Sequence, residues 1–186
     1  MTPNKKLFWS EMFYQPQLTC ILPNLNPTFF DFLADRFANI LGYPVKTHIN
    51  NSDKERWTVS FHGNGFESSL DLILYLFDPS VVTCGSALID IEKPTIEIVN
   101  FIINPKGKGL GSKVIKELIA FIESKNWGFE ILMLKAKDRR AAQFWTKVGF
   151  TKVSHSLPHT PSMTRPLIIK KKKEKGVTVK INQKTL

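Results

Sequence analysis

The chain has 186 residues, 42% of them hydrophobic, and carries a formal net charge of +10. This length and hydrophobic content favour one folded domain with a core and a tail, or two very small domains, over a chain that stays unfolded. The longest strongly apolar stretch, at 72–77, has the length of a strand, which excludes a hydrophobic membrane-spanning helix.

The first predicted helix covers residues 26–41. Asn26 is the expected N-cap, Pro27 suits the first turn, and Gly42 ends the helix. One face carries its apolar side chains, which are Phe30, Leu33, Phe37, Ile40 and Leu41. We expect a short strand at 18–22 before this helix.

A run of strands is predicted after this helix. The strands are expected at 44–49, 56–61, 69–77, 81–91 and 95–103, with turns at 62–65, 78–80 and 92–94. The segment at 69–77 also fits a helical period. Its alternating leucines and its short length favour a strand.

The hydrophobic period changes in the second half of the chain. A helix is predicted at 109–125, because apolar residues recur there at every third or fourth position. A buried strand follows at 129–136, and then a helix that Asp138 caps and Gly149 ends. We expect a final hairpin from 150–156 and 166–171, and a loosely held extra strand at 177–181. This order predicts an α/β fold, a mixed sheet with helices packed on it.

The segment NPKGKGLGSK, at 104–113, lies where a strand becomes a helix. Backbone N–H groups at a helix N-terminus are unpaired and carry about half a positive charge, so oxyanions such as phosphate bind there. Glycine allows a ligand to approach the backbone, and three lysines add positive charge. The segment predicts a site for a diphosphate-bearing ligand, and a tight turn without a ligand is the alternative. It matches neither the Walker P-loop nor the dinucleotide-binding G-x-G-x-x-G pattern.

The glycine segment resembles a motif of the GNAT superfamily of N-acetyltransferases. KGKGLG at 106–111 is similar to the family's acetyl-CoA signature, [RQ]-x-x-G-x-[GA]. Lys106 stands at the Arg/Gln position, and Gly109 and Gly111 stand at the two small positions.

A second motif follows one helix and one strand later, as in that family. DRRAAQFWTKVGF at 138–150 resembles N-x-x-A-x-x-F-Y-x-x-x-G-F. Asp138 replaces the asparagine of the pattern, and Trp145 replaces the tyrosine. The resemblance covers residues 81–155.

The resemblance implies a GNAT-type central twisted sheet with a splayed parallel strand pair, flanked by helices. It implies one such domain at 1–169, followed by a basic tail at 170–186. It also implies acetyl-CoA as cosubstrate, with a primary amine attacking the thioester directly. The implied cofactor-binding residues are Phe101, Ile102 and Ile103 for the pantetheine arm, Lys106, Gly107, Lys108, Gly109, Leu110, Gly111 and Ser112 for the pyrophosphate, and Asp138, Phe144 and Trp145 from the second motif.

Glu97 is the candidate catalytic base. The attacking amine must lose a proton, so a carboxylate or a water relay is expected near the thioester. Glu97 is the one acidic residue on an otherwise apolar strand, at a position where many family members carry a glutamate. Burial would raise its pKa towards a useful range. An acidic side chain at the strand edge or on a solvent-exposed face is the alternative.

Trp145 departs from the family pattern. Family members often carry a tyrosine there, whose phenol can protonate the leaving thiolate, whereas an indole N–H has no accessible proton to give. Either solvent or another group serves as the acid, or the protein is a catalytically weak relative that binds CoA or a macromolecular partner. The Trp145 side chain packs along the cofactor arm or serves the core alone.

Cysteine and histidine positions predict a cytoplasmic protein without a metal site. Cys20 and Cys84 have no metal-type spacing, so we expect reduced thiols. The last two histidines are four residues apart, but Pro158 between them disfavours a helical ligand pair. Residues 9–11 interrupt the N-terminal apolar residues, which argues against a signal peptide.

The charge distribution indicates which partners to expect. Residues 1–105 hold seven Lys/Arg and eleven acidic residues. The resemblance implies that the segments before the glycine turn help to shape the acceptor site, so this balance favours a cationic amine as acceptor. The run KKKKEK at 170–175 is expected to be solvated. Contact of this run with nucleic acid is the alternative, although no aromatic residues interleave for base stacking. We expect no membrane partner, and a monomer or a homodimer that uses the final hairpin.

Overall fold

The computed structural model describes residues 22, 25–51, 56–77, 93–154 and 156–168. Within these residues the helices are α1 (Thr28–Leu41), α2 (Leu110–Lys125) and α3 (Arg139–Lys147). The strands are β1 (Val45–Asn50), β2 (Arg56–Asn64), β3 (Ser69–Phe77), β4 (Thr95–Asn104), β5 (Ile131–Lys135), β6 (Thr151–Lys152) and β7 (Ser162–Pro166).

The strands form one sheet in the order β1-β2-β3-β4-β5-β7-β6. All neighbouring strands are antiparallel except β4 and β5, which are parallel and are joined by α2. A parallel pair needs a crossover connection of this kind, and here the helix supplies it. The expected mixed α/β fold with flanking helices is confirmed.

Helix α1 begins at Thr28 with Pro27 as its N-cap, one residue after the predicted N-cap Asn26. The side-chain oxygen of Asn26 accepts a hydrogen bond from the Thr28 N–H at 3.0 Å, at the start of α1. Gly42 ends that helix with a φ of 77°. Asp138 caps α3, since its carboxylate accepts from the Ala141 N–H at 2.7 Å. The predicted apolar face of α1 is buried at Phe30, Leu33 and Phe37, together with Ala34.

The predicted position of the turn at 62–65 is wrong, because the turn begins three residues later. Strand β2 continues to Asn64, and the turn runs from Gly65 to Ser68, closed by a hydrogen bond of 2.8 Å from the Gly65 N–H to the Ser68 carbonyl. Glycine is tolerated inside β2 because the Tyr43 ring covers it: a Cβ on Gly63 would lie 2.8 Å from that ring. The two glycines therefore serve close packing as well as the turn.

The final hairpin also differs from the expectation. Its second strand is β7 at 162–166, not 166–171, and β7 pairs with β5 as well as with β6. Pro166 ends β7 because a proline has no N–H to extend the ladder. The elements expected at 81–91 and 177–181, most of the strand at 18–22, the turn at 78–80 and the tail lie outside the described residues.

One face of the sheet, here called the helix face, holds the core. Alternate residues of β3 (Leu70, Leu72, Leu74 and Leu76) are buried on it. Helices α1 and α2 pack there, with Thr47 of β1 bonded to the Phe30 carbonyl of α1. Helix α3 ends on this side too, since Gly149 approaches the guanidinium of Arg165 next to α2.

Strand β4 separates from β5 halfway along its length. The two strands pair only from Thr95 to Ile98, so residues 100–104 pair with β3 alone. A β-bulge lies at the point of separation, where Val99 is an extra residue between the pairs made by Ile98 and Asn100. Bulges re-aim side chains and end strand pairing. The parallel pair therefore splays, as the resemblance implied.

Candidate functional site

The N-terminus of α2 lies at the end of the splayed half of β4. The turn needs glycine, because Gly107 and Gly109 have φ values of 87° and 75°. The first helical hydrogen bond runs from the Lys113 N–H to the Gly109 carbonyl at 3.2 Å. Among the described residues, none accepts a hydrogen bond from the four amides of 109–112. These amides are available to an oxyanion.

The surface of this turn is open, and its base is tightly packed. A Cβ on Gly107 or Gly109 would meet nothing within 4 Å, so both glycines face open space. A Cβ on Gly111 would instead lie 3.3 Å from Ile103 and 3.5 Å from Phe101. Glycine at 111 therefore brings α2 close to β4. The lysines at 106 and 108 are exposed at the turn, and the lysine at 113 is exposed beside it.

An aromatic cluster lies beside the separated strands. The Phe101 ring stacks on Phe144 with centroids 6.1 Å apart and lies 5.7 Å from the Trp145 ring. Trp145 also packs on Phe150 at 5.3 Å, and only 7% of its surface is exposed. Trp145 therefore belongs to the core, and no described residue accepts a hydrogen bond from its indole N–H. The predicted residues at 101, 103, 111, 144 and 145 are brought together here.

Glu97 lies on the opposite face of the sheet, which we call the polar face and which carries His62, Asp71, Tyr75, Glu97 and Asn100. Its cross-strand partners are Tyr75 on β3 and Met133 on β5. Burial raises the pKa of the half-buried Glu97 carboxyl, and the Arg56 guanidinium opposes part of that rise. Arg56 lies over the Tyr75 ring at 4.6 Å from its centroid.

Two of the predicted site residues do not join the others through their side chains. The Asp138 carboxylate is engaged in capping α3. The Ile102 side chain is 49% exposed, and Ile102 pairs with Asp71 of the polar face. The backbone of Ile102 remains in the splayed half of β4, where the resemblance implied a role for its backbone groups.

A polar network on this face was not predicted from the sequence. The Asn100 amide donates to Oδ2 of Asp71, and Nδ1 of His62 lies 2.9 Å from Oδ1 of the same carboxylate. The three residues belong to β4, β3 and β2. Alternating polar residues in these strands were a signal for a polar face, but only the strand register shows which ones meet.

The described residues also contain two surface cavities away from the glycine turn. One, of about 350 Å³, is lined by residues of α2, the end of α3 and Arg165. The other, of about 330 Å³, lies beside Lys93, Glu130 and Leu167. Within the described ranges no three His, Cys, Asp or Glu side chains come together as metal ligands. No helix in these ranges has the length and apolar character needed to cross a membrane.

The chain is a mixed α/β protein with one splayed parallel strand pair and a glycine turn that opens the helix between the two strands, which is the arrangement that the resemblance implied. The sequence model of the Acetyltransferase (GNAT) family matches residues 40–150. The chain belongs to that family.

Comparison with solved structures found the following similarities. The PaiA N-acetyltransferase from Thermoplasma acidophilum in complex with coenzyme A is 12% identical, with a TM-score of 0.40, over 59% of this chain and 60% of that one. AtaTR bound with AcCoA is 17% identical, with a TM-score of 0.41, over 62% and 70%. An acetyltransferase from Thermus thermophilus is 19% identical, with a TM-score of 0.41, over 63% and 68%. The comparison with curated proteins found no match.

Proposed function

We propose that the protein is an acetyl-CoA-dependent N-acetyltransferase that acts on a primary amine. The observation that carries the proposal is the open N-terminus of α2, where the amides of 109–112 have no acceptor among the described residues. These amides and the three lysines around them suit a diphosphate. Two neutral glycines at the turn leave room for the diphosphate to reach the backbone.

The residues of the splayed strand fit the rest of such a cosubstrate. Residues 99–104 have no partner on the β5 side, so backbone groups of Phe101 and Ile103 are available to an amide-bearing arm. The aromatic cluster at 101, 144 and 145 provides an apolar wall for that arm. When bound, acetyl-CoA supplies the acyl group, and its thiolate is the leaving group.

Glu97 is the base in this proposal. The amine arrives as an ammonium ion, and the Glu97 carboxylate takes one proton, which leaves a lone pair to form the N–C bond as the C–S bond breaks. The raised pKa makes Glu97 a better proton acceptor than an exposed carboxylate. Because Trp145 is buried and its indole N–H does not ionise, the proton that the thiolate needs comes from the amine nitrogen or from water.

Calorimetry with two ligands tests the central point. CoA should bind with an affinity at least about a hundredfold higher than pantetheine, because pantetheine lacks the diphosphate and the nucleotide attached to it, and each charge-assisted hydrogen bond to a phosphate contributes about 1.5–3 kcal/mol. Equal affinities, or no heat with CoA, would contradict the proposal. Release of free CoA in the presence of primary amines then tests turnover.

A catalytically weak CoA-binding relative is the second candidate. Trp145 favours it, because the position that often carries an ionisable phenol in this family holds a buried indole. Tight acetyl-CoA binding without CoA release, across a panel of primary amines that includes diamines and peptide N-termini, would select this candidate.

A further inference from the structure

The polar face carries a set of side chains that the proposed function leaves without a role. Among the described elements no helix packs on this face. Three strands contribute to one network: His62 on β2, Asp71 on β3 and Asn100 on β4. The Asp71 carboxylate lies between the other two side chains, and each of its oxygens faces one of them.

The chemistry of this network fixes the orientation of the Asn100 side chain. An ionised carboxylate can only accept hydrogen bonds, so the amide nitrogen of Asn100, and not its oxygen, must face Asp71. The side-chain oxygen of Asn100 therefore points away from Asp71. No described residue donates a hydrogen bond to that oxygen. Nδ1 of His62 lies 2.9 Å from the other carboxylate oxygen but does not have the geometry of a hydrogen bond to it.

The β-bulge places Asn100 on the same face of the sheet as the proposed base. Residues three apart on a regular strand lie on opposite faces. Because Val99 is an extra residue, Glu97 and Asn100 both lie on the polar face, opposite Tyr75 and Ile73 respectively. Asn100 is also the second residue beyond the last pair between β4 and β5, where the strands separate. The carboxylate of Glu97 and the side-chain amide of Asn100 therefore lie on one face at the point of separation.

We propose that Asn100 is the residue that positions the attacking amine, with its side-chain oxygen accepting one N–H of the amine while Glu97 accepts another. This inference rests on the proposed N-acetyltransferase function. Asp71 acts through Asn100 and is a positioning residue.

The arrangement selects for the chemical class of the acceptor. After one proton has passed to Glu97, a primary amine still has two N–H groups, of which one serves Asn100. An alcohol has a single O–H, and once Glu97 takes that proton nothing is left to donate to Asn100. An unpaired acceptor in a partly closed site disfavours the alcohol. Asn100 therefore favours transfer to nitrogen over transfer to oxygen.

A pair of CoA thioethers tests this without turnover. S-carbamoylmethyl-CoA ends in –CO–NH₂, whereas S-acetonyl-CoA ends in –CO–CH₃, so the two differ by a donor group of nearly the same size. In calorimetry the wild-type protein should bind the carbamoylmethyl compound about five- to tenfold more tightly, as expected for one additional hydrogen bond. Asn100→Ala should reduce this preference at least about threefold and leave the affinity for CoA itself unchanged.

Asn104→Ala is the matched control. Asn104 lies on the same strand, is partly buried like Asn100, and donates its amide to a β3 side chain, the Ser69 hydroxyl, at 3.0 Å. This variant should keep the wild-type preference. The preference is the ratio of the affinities for the two thioethers, so any effect on binding of the CoA part, which both share, cancels. If Asn100→Ala keeps the preference as well, or if the wild-type protein shows none, the inference is wrong.

Asp71→Asn is a second variant in case Asn100→Ala fails to fold. It replaces the obligatory acceptor by a group that can also donate, so the Asn100 amide is free to turn over, and the preference should fall. An unchanged preference in Asp71→Asn overturns the role of Asp71. Failure of the two proposals is distinguishable, because absence of CoA binding refutes the N-acetyltransferase, whereas CoA binding without the predicted preference refutes only the role of Asn100.

Discussion

Replacing Gly109 by alanine separates the anion-binding role of the glycine turn from its role in folding. Gly109 has a φ of 75°, and a Cβ there would meet nothing within 4 Å. The added methyl group therefore causes no clash inside the protein, and the cost to folding is the left-handed backbone alone, about 1–2 kcal/mol. The methyl group would lie on the open surface of the turn, where we propose that the diphosphate approaches.

These values predict two separate changes. For a domain of this size, 1 kcal/mol lowers Tm by about 2–4 °C, so Gly109→Ala should lower Tm by about 2–8 °C. The affinity for CoA should fall at least about tenfold, which corresponds to about 1.4 kcal/mol, because the methyl group keeps the diphosphate from the amides. Thermal unfolding without ligand and calorimetry with CoA measure the two changes.

Gly42→Ala provides the control with the same backbone strain. Gly42 ends α1 with a φ of 77°, and a Cβ there also meets nothing within 4 Å. This variant should lose a similar amount of Tm and bind CoA like the wild-type protein. If Gly109→Ala and Gly42→Ala bind CoA with the same affinity, the diphosphate does not approach the amides at Gly109 and the reasoning is refuted.

Three further predictions concern the base, the leaving group and the end of α3. Glu97→Gln should abolish turnover, because it removes the base. It should also raise Tm at pH 7, because burial raises the Glu97 pKa and the folded protein with an ionised Glu97 is therefore less stable. This gain in Tm should vanish below about pH 4, where the carboxyl is protonated in the folded and the unfolded protein. Arg56→Met removes the charge that lowers this pKa, so the acidic limb of the kcat/KM profile should move to higher pH; a limb that stays in place argues against Glu97 as the base. If protonation of the thiolate limits the rate, Trp145→Tyr should raise kcat and Trp145→Phe should not. Equal kcat values for the two variants in stopped assays would show that thiolate protonation does not limit the rate. Gly149→Ala should cost about 1–3 kcal/mol in chemical denaturation, because its φ of 95° is a left-handed conformation that alanine adopts only with strain, whereas the end of the Arg165 side chain can move aside; a change under about 0.5 kcal/mol would contradict this backbone conformation.

Much of the fold followed from local sequence signals. The period of apolar residues located α2, because Val114, Leu118 and Ile122 are all buried on one side of it. The alternating leucines of β3 located that strand, and the caps at Asp138 and Gly149 located α3. These signals act within one element, so a single sequence contains them in full.

The features that the sequence did not predict correctly depend on partners distant in the sequence. Gly63 has the appearance of a turn residue, but it lies inside β2 because the Tyr43 ring packs on it. The position of β7 is set by its antiparallel pairing with β5, from which α3 and β6 separate it in the chain, and not by its own composition. The network of His62, Asp71 and Asn100 likewise depends on strand register, which the residues of one strand do not specify.

The glycines indicated the position of the candidate site, but they did not predict which side chains share a face there. The sequence indicated where an anion would bind and named Glu97 as a base, but a regular strand would have put Glu97 and Asn100 on opposite faces. The bulge at Val99 changes this relation, and it also keeps Phe101 and Ile103 on the helix face, opposite Leu72 and Leu70.

One strand therefore supplies both sides of the proposed reaction. On the helix face, Phe101 and Ile103 contact α2, whose amides suit the diphosphate. On the polar face, Glu97 and Asn100 can receive the amine. Since β5 pairs with β4 only as far as Ile98, the gap that opens beside Val99 joins the two faces. If the bulge moved by one residue along β4, the side chain that it passed would lie on the other face of the sheet. The position of the bulge therefore matters as much as the identity of Glu97 or Asn100.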